Sequence, residues 1–507
     1  MMSEQRDRFV AVIDIGKTNK KVHIYTPELE LVDSRSTTME SDVRDGIPWV
    51  DSQALETWLL DTLSALSGRY EIAAISVATH GATFACVDAQ GELSIPIIDY
   101  THEPGEAFHR EFYAMAGDPI QLQKDTATLV LGALINIAQG VKFLKEYAPA
   151  EFAKTRHILF YPQYFGFRLT GNVGADYTYA GCHTYLYDLE HERYSEVAEK
   201  LGIRELLPNE IKRPNEVLGR IDPDIAARTG LSPETVVTLG IHDSNASLIP
   251  YLIKRPGEDL IVNSTGTWCV AMHPEQSVRF DEDELGKAVF YNMNAFAKPV
   301  KTSILMGGLE FETYTAILRE RFGLRQFPAF DPDLYRSILK ERAEFILPAV
   351  VQGTGQFPDS EARILDHGTV FSLESVSSGG AVPELFSNTR RAYAVLNLSL
   401  AVQTVIALER VGLKQGVTVY TEGGFRNNED YNILLAALVP KATFVLSGMP
   451  EATSFGAALV GWSAVEGVSL PDLAPRFTLE QEAVREVELP GIGEYQNAFM
   501  DQLVAYH

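Results

Sequence analysis

Residues 12–25 read VIDIGKTNKKVHIY, an apolar run, then a turn of glycine, threonine, asparagine and lysines, then an apolar run again. A short apolar stretch bounded by turn residues reads as a buried strand, and a second one directly after the turn makes a hairpin. LELVDSRSTTM, residues 29–39, adds a third strand and completes an antiparallel meander. Asp51 can then cap a helix over residues 52–67, where Leu55, Trp58, Leu59, Thr62, Leu63 and Leu66 recur at helical spacing. IAAISVA, residues 72–78, is the next apolar strand. Strands that alternate with helices in this way imply an α/β layer arrangement.

The device returns in the second half. DLIVNSTGTWCVAMH, residues 259–273, is again strand, Ser/Thr/Gly turn and strand, so Gly266 occupies the place that Gly16 holds in the first hairpin. Either hairpin alone reads as an ordinary surface turn. As a pair, one per half, they suit the two ends of a phosphate chain. Further on come a long helix within residues 390–416, a strand, glycine turn and helix within 417–439, and a small-residue helix within 451–467. At 507 residues the chain exceeds what one core usually serves, so two domains are expected, 1–247 and 248–507, with a hinge near 244–258 and a cleft between them.

Composition narrows the partners. The chain carries 68 acidic against 43 basic residues, a formal net charge of −25, which repels nucleic acid and anionic membrane surfaces. Its three cysteines, Cys86, Cys182 and Cys269, are odd in number and widely spaced, which fits neither a disulfide framework nor a thiolate metal site. The charged start MMSEQRDRF lacks the apolar core of a signal peptide, and no apolar run reads as long enough to span a bilayer. A cytoplasmic protein is the expectation.

Within the opening turn, Gly16 leaves room for a phosphate, Thr18 and Asn19 add donors, and Lys17, Lys20 and Lys21 add charge. Lys20 and Lys21 point to opposite faces of a strand, so one of them at most reaches the same ligand. Asp14, one residue pair earlier, would repel phosphate unless Mg²⁺ lay between them; the plain alternative is a carboxylate that caps the turn. VVTLGIHDSNAS, residues 236–247, ends an apolar strand at Gly240 and Ile241 and places Asp243 where a helix begins. Strand ends in α/β sheets are where ligands bind. Asp243 there can act as a general base toward a substrate hydroxyl or simply cap the helix. The paired glycines Gly423 and Gly424, before Arg426 and Asn427, can let a flat base approach the backbone.

In their order along the chain, DIGKTNKK, NSTGTW and EGGFRNN resemble the phosphate and adenosine motifs of the FGGY carbohydrate kinases. ISVATHGATFACVD, RLTGN, GCHTYLYDL, GIHDSNA and EATSFGAAL extend the resemblance from about residue 9 to about 465. It implies two ribonuclease-H-like, actin-like ATPase domains around an interdomain catalytic cleft, with ATP and Mg²⁺ used to phosphorylate a small ketose or polyol. By position it assigns Asp14 and Asp243 to the metal, and Asp243 as catalytic base. Gly16, Lys17, Thr18, Asn19 and Lys21 fall in the first phosphate loop, and Ser264, Thr265, Gly266 and Thr267 in the second. Gly307 and Gly308 would border the nucleotide, and Gly423, Gly424 and Asn427 would hold adenosine. His80 and Gly81 resemble a sugar-side loop of ketose kinases.

The chain also departs from the family pattern. IIDYTHEPGE replaces the usual Trp-Asn-Asp-x-Arg type sugar motif and offers Asp99, Tyr100, His102 and Glu103 for the acceptor. Gln163 stands where a lysine or acid is usual, and Lys17 where threonine is common. GCHT and the loop at His80 lean toward the branch with fuculose- and rhamnulose-type kinases, with xylulose-like acceptors also in view. The rival readings are an actin-like ATPase and a non-catalytic sugar or nucleotide sensor. Sugar and ATP or ADP are the expected small-molecule partners, and a homodimer is left open.

Overall fold

The computed structural model describes residues 8–449 and 451–505; the charged residues 1–7 lie outside them. The meander forms as read. Strand Arg8–Ile15 pairs antiparallel with Asn19–Tyr25, which pairs antiparallel with Leu31–Thr38. Asp51 caps helix Ser52–Ser67 by accepting from the Ala54 amide at 3.0 Å, and the helix returns the chain to strand Glu71–Thr79, parallel to the first. Strand Val236–Thr238 pairs parallel on its far side, with Val217–Arg220 antiparallel at the edge.

The second half repeats this sheet. Leu260–Thr265 and Cys269–Pro274 form the hairpin, Pro299–Leu305 follows antiparallel, and Thr418–Gly423 and Thr443–Ser447 join parallel on the other side. In both sheets the five strands just named lie in the order third, second, first, fourth, fifth, with Val217–Arg220 added at one edge of the first sheet and Val289–Met293 and Gln481–Ala483 at the two edges of the second. This duplicated arrangement is the two-domain, actin-like α/β fold expected from the motifs.

Two features differ from the expectations. The boundary at 247/248 falls inside one helix, Asp243–Lys254, which spans most of the expected hinge segment. Ala246, Ile249 and Ile253 of that helix share a core with strands of the first sheet, while Leu248 and Tyr251 join Leu260, Val262 and Tyr420 of the second. Helix Ala452–Glu466, late in the chain, packs back on the first sheet, its Gly461 against Val10 and its Phe455 beside Tyr25. The small-residue pattern serves this crossing: a Cβ at Gly456 would overlap the carbonyl of Ala246.

The second difference concerns helix Thr389–Arg410. By length and composition it could cross a membrane, contrary to the reading that no run is long enough. It is nonetheless the central helix of the second core, with Val395, Leu398, Val402 and Val405 all buried, which accounts for its apolar character without a bilayer.

Candidate active site

Strand Ile241–His242 continues along Ala78 and Thr79 and delivers Asp243 as the first residue of helix Asp243–Lys254. Gly240 makes the bend at φ +85°, where a Cβ would lie 2.8 Å from the Val77 carbonyl oxygen. Asp243 accepts from the amide of Ser244 at 2.6 Å and its hydroxyl at 3.2 Å. Burial raises its pKa, opposed by the His80 ring and the Ser244 donors. His242 is held neutral, its pKa pushed down to about 3 by burial, with Nε2 3.5 Å from Asp243 Oδ1 and 3.5 Å from Cys182 Sγ. Gly81 leaves space for this imidazole: a Cβ there would come within 2.7 Å of Nε2.

A buried relay fixes the strand end from below. Gln163 donates to Asp176 Oδ1 at 3.1 Å and to the Leu239 carbonyl at 2.7 Å; Asp176 binds Thr178, whose hydroxyl accepts from the His242 amide at 3.0 Å. Gln163 is therefore a scaffold residue, which explains an uncharged side chain at that position. Burial pushes Asp176 up to about 7.

Asp243 opens into an interdomain cavity of about 370 Å³. His80, Gly81, Tyr100, His183 and His242 line one wall, and Ser264, Thr265, Gly266, Thr267 and Trp268 face them from the second hairpin. An apolar wall comes from Leu129, Val130, Leu131, Leu134 and Ile135, and Phe290 also lines the cavity, its ring 4.7 Å from that of His183. This wall was missed in the sequence because residues 129–135 form neither a helix nor a strand and carry no periodicity. Tyr113 Oη fixes the segment by donating to the Leu131 carbonyl at 2.8 Å and accepting from its amide at 3.0 Å.

Each of the three lysines of the opening turn, expected to face phosphate, has a protein partner in this structure. Lys17 ion-pairs with Asp99. Lys20 is buried and binds the turn's own carbonyls, Lys17 O at 2.6 Å and Gly16 O at 2.9 Å, with burial lowering its pKa to about 8. Lys21 binds Glu451 at 2.6 and 2.8 Å. Lys17 alone of the first-hairpin candidates lines the cavity; Gly16, Thr18, Asn19 and Lys21 lie beside it.

Other candidates are also redistributed. Tyr100 and His80 reach the cavity, but Asp99 lies beneath it, 3 % exposed, and burial is outweighed by Lys17, Ser41 and Thr101, which lower its pKa. His102 is buried against Phe143, ring centroids 4.5 Å apart, away from the cleft. Glu103 is a loop clamp, accepting from the amides of Gly105 at 2.7 Å and Leu134 at 2.6 Å. The Thr265 hydroxyl donates to Glu422 O at 2.5 Å and accepts from Phe425 N at 2.9 Å, so it ties the second hairpin to the glycine turn. Gly308 and Gly423 are glycine for protein packing: a Cβ would overlap the carbonyls of Gly266 and Thr265 respectively. Gly307 leaves room for Cys269 Sγ, 2.8 Å from its would-be Cβ. Gly424 and Asn427 are exposed beside that turn.

Asp14, at the end of the first strand, carries no hydrogen bond from its carboxylate among the described residues. Its pKa is raised to about 7, first by burial and next by the charge of Asp243, with Lys21 opposing. The charge of Asp243 thus disfavours ionisation of Asp14, a conflict that a hard divalent cation with oxygen ligands would relieve.

Comparison with known families matches residues 9–250 to the N-terminal domain of the FGGY family of carbohydrate kinases, and residues 257–468 to the carbohydrate kinase FGGY C-terminal domain. The chain belongs to the FGGY carbohydrate kinases. Among curated relatives of this FGGY kinase, the L-fuculokinase of Escherichia coli K12 is 24 % identical over 489 residues, covering 92 % of this chain and 95 % of that one. The rhamnulokinase of Oceanobacillus iheyensis is 22 % identical over 472 residues, covering 90 % and 93 %. Among solved structures, a carbohydrate kinase from Novosphingobium aromaticivorans superposes with a TM-score of 0.79 at 26 % identity, over 99 % of each chain. The FGGY kinase is thus an ATP-dependent sugar-phosphorylating enzyme.

Proposed function

We propose that this kinase transfers the γ-phosphoryl group of ATP to a hydroxyl of a small ketose with one apolar end, of the fuculose or rhamnulose type. The observation that carries the reading is that Asp243 lines a cavity together with polar groups, among them His80 and Tyr100, and with the apolar residues Leu129, Val130, Leu131, Leu134 and Ile135. Relatives with the names L-fuculokinase and rhamnulokinase support the acceptor class. His80 and Tyr100 can bond sugar hydroxyls, while the apolar wall accepts a deoxygenated carbon.

In this reading Asp243 takes the proton from the attacking hydroxyl as that oxygen bonds to the γ-phosphorus and the bond to ADP breaks. The exposed turn at Gly266 and Thr267 orients the phosphates from the second domain, and the exposed Gly424–Asn427 turn supports adenosine. Asp14 and Asp243 would hold Mg²⁺, which when bound screens the triphosphate charge. Enclosure between the domains keeps water from competing for the phosphoryl group.

A coupled ADP-release assay over L-fuculose-derived and L-rhamnose-derived ketoses, D-xylulose, glycerol and gluconate, with the product located by NMR, tests this. Ketose-dependent turnover, highest with a 6-deoxyketose, is expected; ATP hydrolysis indifferent to every sugar would instead favour the actin-like ATPase reading. The pH profile gives a second check. Because burial raises the Asp243 pKa, the protonated, inactive base persists above the ordinary aspartate value of 3.8. The acid limb of kcat/KM is therefore expected to fall at a midpoint above 3.8, and a midpoint below it would contradict the assignment.

A further inference from the structure

Lys17 comes from the first nucleotide hairpin, yet its ion-pair partner Asp99 and the ring nearest its ammonium, Tyr100, belong to the acceptor side. Nζ ion-pairs with Asp99, lies 3.4 Å from Ser41 Oγ and sits 5.6 Å from the centre of the Tyr100 ring. Asp99 is also bound by Ser41 on the same oxygen, and its other oxygen accepts from the amide and hydroxyl of Thr101 at 2.9 and 2.8 Å. Main-chain bonds fix the same residue on both sides, its amide to Pro48 O at 3.0 Å and its carbonyl from His102 N at 3.0 Å. If Lys17 swung away to a phosphate, a carboxylate only 3 % exposed would lose its counter-charge, one of the more damaging changes inside a protein.

The neighbouring Tyr100 projects into the cavity. Its ring lies 5.4 Å from that of His80, and the Trp268 side chain of the second hairpin approaches its hydroxyl. The dipeptide Asp99–Tyr100 therefore touches both nucleotide hairpins, one through each side chain.

We infer that Lys17 is a positioning residue for the acceptor: by gripping Asp99 it sets Tyr100 against the cavity, and it is not a ligand of the triphosphate. Its consequence for turnover rests on the ketose-kinase reading, whereas its consequence for nucleotide binding does not. The pair couples the hairpin that carries Asp14 to the wall that receives the sugar, so the phosphate and the hydroxyl are registered to one another before domain closure.

The test uses the full chain and four variants, Lys17→Met, Asp99→Asn, the double variant, and Lys17→Arg. Two quantities are measured, Kd for a fluorescent ATP analogue and kcat/KM for the best ketose. Expected are ATP affinities within about twofold of the parent throughout, and a loss of about tenfold or more in ketose kcat/KM for either single variant, carried mainly by KM. The double variant is expected to be no worse than the singles, because both remove one interaction, and Lys17→Arg is expected to recover most of the loss. The double variant also buries no lone charge, so a melting temperature close to the parent's separates positioning from misfolding. Tenfold or greater weakening of ATP binding in Lys17→Met but not in Asp99→Asn would make Lys17 a phosphate ligand and overturn the inference. If the parent turns over no ketose, the ketose-kinase reading fails. The ATP arm then decides by itself, unchanged affinity in Lys17→Met upholding the exclusion from the phosphate site and tenfold loss overturning it.

Discussion

Asp243→Asn is expected to lower kcat for sugar phosphorylation by about 10²–10⁴-fold, the range that general-base assistance supplies, equivalent to about 3–5 kcal/mol of barrier. The substitution keeps the side-chain oxygen that accepts from Ser244, so the helix start and the fold survive. ATP binding should persist, since the second hairpin and the glycine turn are untouched. Two accompanying shifts distinguish this outcome from simple damage. The carboxylate of Asp243 is one of the groups that hold Asp14 up at about 7, so Asp14 should titrate lower in the variant, as read by NMR. The raised pKa of Asp243 also means that its ionisation opposes folding. That stability is fully present below 3.8 and is lost as pH rises through the folded-state value, so Asp243→Asn should melt higher than the parent at neutral pH. Near-parental turnover in the variant would remove Asp243 from the base role.

Gly456→Ala is expected to be among the most destabilising single-methyl changes in the chain. Its Cβ would overlap the carbonyl oxygen of Ala246 and lie 2.5 Å from that carbonyl carbon and 3.1 Å from its Cα, all backbone atoms that cannot rotate away. The two helices must separate, at about 3 kcal/mol or somewhat more, and melting should fall by roughly 5–10 °C. Ala246 stands three residues after Asp243 on the same helix, so catalysis should drop with stability. Gly493→Ala is the control: it lies exposed in helix Ile492–Ala505 with open space around its Cβ, and alanine there is expected to be neutral or stabilising by up to about 1 kcal/mol. Equal melting curves for the two variants would show that the helix crossing is looser than its geometry.

The helix crossing at Gly456 also shows where sequence reading stops. That EATSFGAALVGWSAVEG forms a closely packing helix was legible from its small residues. That it packs against the first sheet, across the nominal domain division, was not, because nothing local encodes which partner a small-residue face will meet. Helix Asp243–Lys254 behaves likewise: its strand-to-helix start was readable, but its apolar residues divide between two cores only once both sheets exist.

By itself the sequence determined the two hairpins, the helices that follow them, the strand end that presents Asp243 and the glycine turn after Thr418–Gly423, because these depend on periodicity, capping and turn chemistry within about 20 residues. Tertiary structure alone decided what the charges of the opening turn do. Lys17 meets Asp99 at a separation of 82 residues, and Lys21 meets Glu451 at 430. Lys20 turns inward to bind the carbonyls of its own loop. A lysine in sequence is a mobile charge with several partners within reach, and which one it takes is set by the carboxylate that folding buries beside it.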